Sequence, residues 1–277
     1  MVEVGGGLRE YTVGGEAVLD GYANHEMASG GRGQHLLPWP NRLEDGRYEF
    51  GGRWHQLPLD ELETGTAIHG LARWANWVVQ QEAEHRARAA YVLHPRPGYP
   101  FCLAIEVVYT LGEDGLTVRT EARNVGTEAL PFGLGHHPYL TVGPRVDEGF
   151  LTVPARGVLH VDARNLPTRL RGVAPFRERI GARQIDSCFT DLERDEDGRA
   201  VVELRADARS VRVWMDATYA YVQVFTGDTL PPEQRRRGLA VEPMTCPPNA
   251  LRSGVGLRVL RPGETCIGTW GIASARC

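Results

Sequence analysis

One stretch limits the possible folds more than any other. Leu103-Ala104-Ile105-Glu106-Val107-Val108-Tyr109 runs through Gly112-Glu113-Asp114-Gly115 into Leu116-Thr117-Val118-Arg119-Thr120-Glu121-Ala122. The return segment alternates apolar and polar residues at every step, which is the period of a half-buried strand and not of a helix. A glycine-bearing turn between two such segments makes a hairpin. The pattern recurs. Arg47–Phe50 and Arg53–Gln56 flank Gly51-Gly52, a two-residue turn that tolerates the positive φ angles hairpins need. Val201–Leu204, Val211–Met215 and Tyr221–Phe225 read as further strands, and Leu257–Leu260 with Thr265–Ile272 reads as a closing hairpin around Pro262-Gly263.

Helix signals are sparse. Glu82–Ala90 is built of helix formers without a clean apolar stripe, and Pro231–Arg237 has room for a turn or two. There is no βαβ rhythm, no internal repeat and no linker. The expectation is one all-β domain over residues 1–277, a large antiparallel β-sandwich or barrel. A chain of 277 residues can bury an ample core in that form.

Charge and residue usage narrow the chemistry. The net charge is −4, so nothing draws the chain generally toward nucleic acid. No apolar run approaches the ~20 residues of a membrane-spanning helix. The first residues show no basic segment followed by an apolar one, so a cytoplasmic location is expected. All 31 basic residues are arginine. Without lysine, Schiff-base chemistry, covalent pyridoxal phosphate and a Walker A phosphate loop are excluded. Cys102, Cys188, Cys246, Cys266 and Cys277 are scattered and never in Cys-x-x-Cys spacing, so neither a disulfide framework nor a zinc ribbon is expected. Asp191–Asp197 is acidic but lacks calcium-loop spacing and reads as a solvated loop.

Several polar segments then stand out. Phe132–Leu140 reads Phe-Gly-Leu-Gly-His-His-Pro-Tyr-Leu. Histidine titrates near neutral pH, so two together offer proton transfer. Taken alone, the pair suggests a strand end with one buried and one exposed imidazole. Pro38-Trp39-Pro40-Asn41-Arg42 is a stiff aromatic loop. Its Trp39 could face a sugar ring while Asn41 and Arg42 donate to hydroxyls. Ile68-His69-Gly70 and Ile185-Asp186 each end an apolar approach on a polar group. Val222–Gly227 carries Gln223 and Phe225. Ala240-Val241-Glu242-Pro243 sets a carboxylate at the end of an apolar run, a suitable place for a partly buried general base.

In order and spacing these segments resemble the aldose 1-epimerase family, the galactose mutarotase-like proteins, and most of all a bacterial branch with His-Pro-Tyr after the histidine. The resemblance runs from about Leu36 to Gly271. It implies a large antiparallel β-sandwich and interconversion of the α and β anomers of a free hexose by ring opening. It implies Glu242 as general base, His137 as general acid and His69 as a hydrogen-bonding partner near the reacting centre. Arg42 and Asp186 would hold ring hydroxyls, with Asn41, Trp39, Gln223 and Tyr139 completing the sugar site. His136 receives no role, and Phe225 stands where relatives often carry tyrosine. No cofactor and no metal are needed. The partner is a small-molecule sugar, and the protein is a monomer or homodimer. Two alternatives stay open: a hexose-6-phosphate 1-epimerase using Arg42, Arg73, Arg96 or Arg235–Arg237 for the phosphate, and a sugar-binding protein without catalysis. A metal enzyme built on His69, His136, His137 and Glu242 matches no compact ligand spacing.

Overall fold

A computed structural model describes residues 1–207 and 209–276; Cys277 lies outside them. The chain is almost entirely antiparallel strand, as the alternation implies. A nine-stranded sheet runs in the order Phe176–Arg179, Phe150–Val153, Ala200–Ala206, Arg209–Met215, Thr265–Arg276, Gly115–Asn124, Leu103–Gly112, Arg86–Leu93 and Val78–Ala83. The hairpin at 103–124 lies within it, its partners in register from Leu103 with Asn124 to Gly112 with Gly115.

A second sheet runs Pro167–Gly172, Ala155–Val161, Asp186–Leu192, Tyr221–Phe225, Leu239–Met244, Gly135–His136 and His35–Leu36, with Tyr139–Leu140 also paired to Leu239–Met244. Both sheets feed one apolar cluster. Val107, Val118, Val202, Val213 and Ile272 enter it from the first sheet, and Phe189, Val222, Val224, Leu239 and Val241 from the second. This is a β-sandwich in which period-2 alternation decides which side chains face the core and which face away.

Four local expectations give way. Glu82–Ala90 is not helical: Val78–Ala83 and Arg86–Leu93 form a hairpin, and the second strand pairs with Leu103–Gly112. Sheet pairing overrides the helix propensity of Glu, Ala and Arg there. Pro231–Arg237 folds as turns; among the described residues the single α-helix is Ala250–Ser253. Arg258–Leu260 and Thr265–Arg276 do not pair with each other. The former pairs with Leu130–Phe132 and the latter joins two strands of the large sheet. The histidine pair does not divide into buried and exposed: His136 is 1% and His137 4% exposed.

The two histidines instead divide by face. His136 turns to the core side and pairs in register with His35. Tyr109 donates its hydroxyl to the Gly6 carbonyl. His35 Nε2 must therefore donate to the Tyr109 oxygen (2.5 Å), leaving His35 Nδ1 to accept from His136 Nδ1 (2.9 Å). His136 Nε2 in turn accepts from the Tyr219 hydroxyl (2.9 Å). Every group in the row has one role, and both rings are neutral. Burial drives the His35 pKa down to about 4 and that of His136 well below the ordinary value. His136 thus serves the packing of the sandwich.

Candidate active site

The opposite face of the second sheet carries the polar residues. Along Leu239–Met244, Leu239 and Val241 enter the main core, while Ala240 packs on the other side with Tyr139 and Leu230. Glu242 shares the parity of Ala240 and so leaves the core. Along Tyr221–Phe225, Val222 and Val224 point inward and Gln223 outward. Gln223 lies opposite Glu242 in register. One strand further, Asp186 opens its strand opposite Phe225, and Gln223 Nε2 donates to its Oδ1 at 2.5 Å. Three neighbouring strands therefore aim Asp186, Gln223 and Glu242 into one space.

That space is a cavity of about 490 Å³, within the usual range for small-molecule sites. Of the expected residues, Asn41, Arg42, His69, His137, Asp186, Gln223 and Glu242 line it. His137 Nε2 stands 3.2 Å from Glu242 Oε1. Both side chains are almost wholly buried, and His137 Nδ1 and Glu242 Oε2 find no hydrogen-bond partner in the protein. The His69 ring meets that of His137 edge-on, with centroids 5.3 Å apart.

The loop strands fix His69. Arg42–Glu44 pairs with Thr66–Ile68, and each segment ends on a residue of left-handed conformation, Asn41 (φ 58°) and His69 (φ 63°). The His69 N–H donates to the Asn41 carbonyl (3.0 Å), and the Asn41 N–H donates to His69 Nδ1 (3.2 Å). Because Nδ1 accepts, a neutral His69 carries its proton on Nε2 and acts as a donor there. Burial first, then the neighbouring His137, Arg73 and Arg42, keep the ring neutral.

Arg42 is not free. Its Nε and Nη2 reach the two carboxylate oxygens of Glu61 at 2.6 and 2.7 Å. Thr64 and Thr66 donate to the same carboxylate. Burial works to raise the Glu61 carboxyl, but these partners hold it below the usual carboxylate range. Asp60 pairs with Arg73 at 2.7 Å. Arg42 and Arg73 are thus both ion-paired cations of the cavity; Arg96 and Arg235–Arg237 do not line it.

Two expectations about the sugar site are corrected. Trp39 is 3% exposed and belongs to the apolar core; Trp74, 46% exposed, is the tryptophan that borders the cavity. Gly133, whose N–H donates to the Pro38 carbonyl, and Cys246 close off the Pro-Trp-Pro loop on its inner side. Tyr139 does not face the cavity either. Its ring lies behind that of His137, and its hydroxyl donates to the Gly30 carbonyl at 2.9 Å.

Sequence reading overlooked Asp60, Glu61 and the rim segments Met27–Gly31 and Thr229–Pro231, all of which line the cavity. A signal was present in Gly30-Gly31-Arg32-Gly33. A Cβ on Gly31 would lie 2.6 Å from His137 Cδ2, so the glycine is required by close approach.

The charge states follow from burial. Glu242 is raised well above its ordinary range, chiefly by desolvation and then by the Asp186 charge, with Arg42 opposing. His137 is pushed down to about 3, again chiefly by desolvation, with Arg32 and Arg73 adding to it. In the empty site burial thus disfavours the charged form of each group. This differs from a preformed carboxylate and imidazolium at ordinary pKa values, because neither charge is favoured in so dry a place.

Ligand atoms of His69, His137 and Glu242 all lie within 4.8 Å of one another, a spacing that would admit a metal ion. The hydrogen bonds argue otherwise. His69 Nδ1 is taken by the Asn41 N–H and Nε2 then carries the proton, so the ring offers no free lone pair. His136, on the other face, is out of reach.

Glu242 and His137 thus meet on the outer face of a β-sandwich, in a cavity walled by arginine, carboxylates and an amide. The family profile of aldose 1-epimerase matches residues 1–270, and the chain belongs to that family of carbohydrate isomerases. The uncharacterized protein YihR of Escherichia coli K12 is 38% identical over 272 residues, covering 95% of this chain and 86% of YihR. Among solved structures, a galactose mutarotase-like protein from Clostridium acetobutylicum superposes with a TM-score of 0.87 at 18% identity, covering 99% of this chain and 91% of that one. Galactose 1-epimerase from Lactobacillus acidophilus NCFM gives 0.82 at 22% identity, with 99% and 90% covered.

Proposed function

We propose that this protein is a mutarotase, interconverting the α and β anomers of a free aldohexose such as glucose or galactose. The observation that carries the reading is the Glu242–His137 contact of 3.2 Å. The two groups meet in a dry site, and each keeps a second polar atom without a protein partner.

Ring opening removes a proton from the anomeric hydroxyl, breaks the bond from C1 to the ring oxygen, and delivers a proton to that oxygen. Rotation about C1–C2 and closure on the other face give the second anomer. Glu242 takes the first proton and His137 gives the second. This turn of the cycle starts from carboxylate and imidazolium and ends with carboxylic acid and neutral imidazole. The latter is the state that burial favours, and ring closure runs from it in reverse. Arg42 favours the carboxylate form of Glu242, so bound sugar and Arg42 together make the charged form accessible. Each positioned proton-transfer group typically contributes ~10²–10⁴-fold in rate.

Around that centre His69 Nε2–H donates near the reacting atoms. Arg42, held by Glu61, and Asp186, held by Gln223, present fixed polar groups to ring hydroxyls. Asn41 borders the same wall, and Trp74 offers the apolar face.

The test is polarimetry on freshly dissolved α-D-glucose and α-D-galactose, with wild type and Glu242→Gln. Acceleration by wild type alone is expected. Acceleration confined to a hexose 6-phosphate would move the reading to the phosphorylated sugar, whose phosphate would compete with Glu61 and Asp60 for the two arginines. Sugar binding without acceleration of any hexose would leave a binding protein.

A further inference from the structure

The residues behind His137 form a stack that nothing in the reaction itself explains. The Tyr139 ring lies parallel to the imidazole, with centroids 5.1 Å apart and planes 11° from each other. The Arg32 guanidinium lies over the same ring, 4.5 Å from its centroid. Arg32 is 3% exposed, so this is a desolvated cation over an aromatic face. It is held by Asp20, which accepts from Nη2 at 2.8 Å and Nε at 3.2 Å. Arg237 fixes Asp20 from the other side at 2.8 Å. The Tyr139 hydroxyl is tied to Gly30, and the next residue, Gly31, packs on the imidazole edge. The Ser29 hydroxyl donates to Gln234 at 2.6 Å, joining this loop to the rim across 205 residues.

We propose that Arg32 and Tyr139 are positioning residues for His137: Tyr139 backs the imidazole plane, and Arg32, anchored on Asp20, clamps that ring in place. Neither touches the cavity. The stack sets the plane in which His137 Nε2 meets Glu242. An imidazole hung on two rotatable bonds has no hydrogen bond at Nδ1 to fix that plane. A displacement of 1 Å at such a centre can cost on the order of 10²-fold in rate. The groups around His137 are Glu242 and His69 in the cavity, Tyr139 behind, and Arg32 and Arg73 as nearby cations. A guanidinium is planar and can hold the carboxylate and cover the ring at once; an ammonium cannot.

The inference rests on the mutarotase reading for its kinetic arm but not for its structural one. The variants are Arg32→Met, Arg32→Lys, Tyr139→Leu and Tyr139→Phe, compared with wild type in kcat and KM for the preferred hexose and by crystallography of the unliganded proteins. Arg32→Met, Arg32→Lys and Tyr139→Leu are expected to lower kcat about 10–100-fold with KM within twofold. Tyr139→Phe, which keeps the ring, should stay within about threefold of wild type. In the crystals of the first three, the His137 ring should leave its plane and its 3.2 Å contact with Glu242. Tyr139→Leu leaves the Arg32–Asp20 pair intact, so it tests the stack even if Arg32→Met fails to fold. Two results would overturn the proposal: unchanged kcat in folded Tyr139→Leu, or an undisturbed His137 ring in its crystal. If wild type turns over no hexose, the function reading fails while the crystallographic arm still decides this one.

Discussion

Glu242 and His137 touch through Oε1 and Nε2 at 3.2 Å, while Oε2 and Nδ1, the other polar atoms of the two groups, are buried without a partner. A contact of this kind in a packed interior leaves unmet hydrogen-bonding capacity, which costs stability unless a ligand supplies the missing partners. Sugar hydroxyls would do so.

Glu242→Gln keeps the shape and removes the titration. We expect kcat to fall by about 10²–10⁴-fold with sugar affinity nearly intact. Stability should respond in the opposite direction. The folded-state pKa of Glu242 is raised, so its contribution is fully present below an unfolded value of about 4.5 and is lost as pH rises through the folded value. Glutamine has no such loss. The Tm of Glu242→Gln relative to wild type should therefore grow from pH 5 to pH 8, and calorimetry across that range measures it. A constant difference would mean that Glu242 is ionised in the folded protein.

Acid should unfold this protein early. His35 and His137 are held down to about 4 and about 3, and His69 and His136 lie well below the ordinary value. The unfolded chain binds protons at these sites below about pH 6.5 and the folded chain does not. Each histidine then removes about 1.4 kcal/mol per pH unit. Urea titrations between pH 6.5 and 5 should show the unfolding free energy falling steeply. His136→Asn should be less stable at pH 7 and show a shallower slope.

Gly31→Ala tests the seat of the imidazole directly. The added Cβ meets His137 Cδ2 at 2.6 Å, and the site also requires a φ of +80°. The backbone strain is worth roughly 1–2 kcal/mol, and kcat should drop about 10²-fold. Steady-state kinetics beside a thermal melt separates the two effects.

The two tryptophans should behave differently. Trp39→Phe removes a core indole whose Nε1 has no partner, so it should cost about 1–2 kcal/mol of stability and leave KM unchanged. Trp74→Ala, at the cavity wall, should raise KM severalfold with little change in Tm. Equal KM effects would return Trp39 to the sugar site.

The sandwich was legible wherever one strand face is buried and the other is not. The 103–124 hairpin alternates because its two faces meet different media. Glu242 was legible for the same reason in reverse, as a charge where an apolar strand should have continued. The misreadings have physical causes too. Glu82–Ala90 carries helix formers, and only pairing to Leu103–Gly112 makes it a strand. Trp39 sits between prolines that suggest a surface loop, yet the loop folds inward. Glu61 and Arg32 carried no local sign of their importance, because their partners Arg42 and Tyr139 lie 19 and 107 positions away in the chain.

The strand order of the second sheet has a further consequence. Leu239–Met244 lies between Tyr221–Phe225 on one side and Gly135–His136 with Tyr139–Leu140 on the other. A chain growing from its N-terminus therefore makes His137 long before the strand that is to lie beside it. Until residue 242 has been synthesised, the chain lacks one half of the Glu242–His137 contact, and the second sheet is open at its centre. Fragments ending before that point should lack a sealed sandwich, and the slow, long-range closure of that gap is where chaperone dependence and aggregation of nascent chains would concentrate.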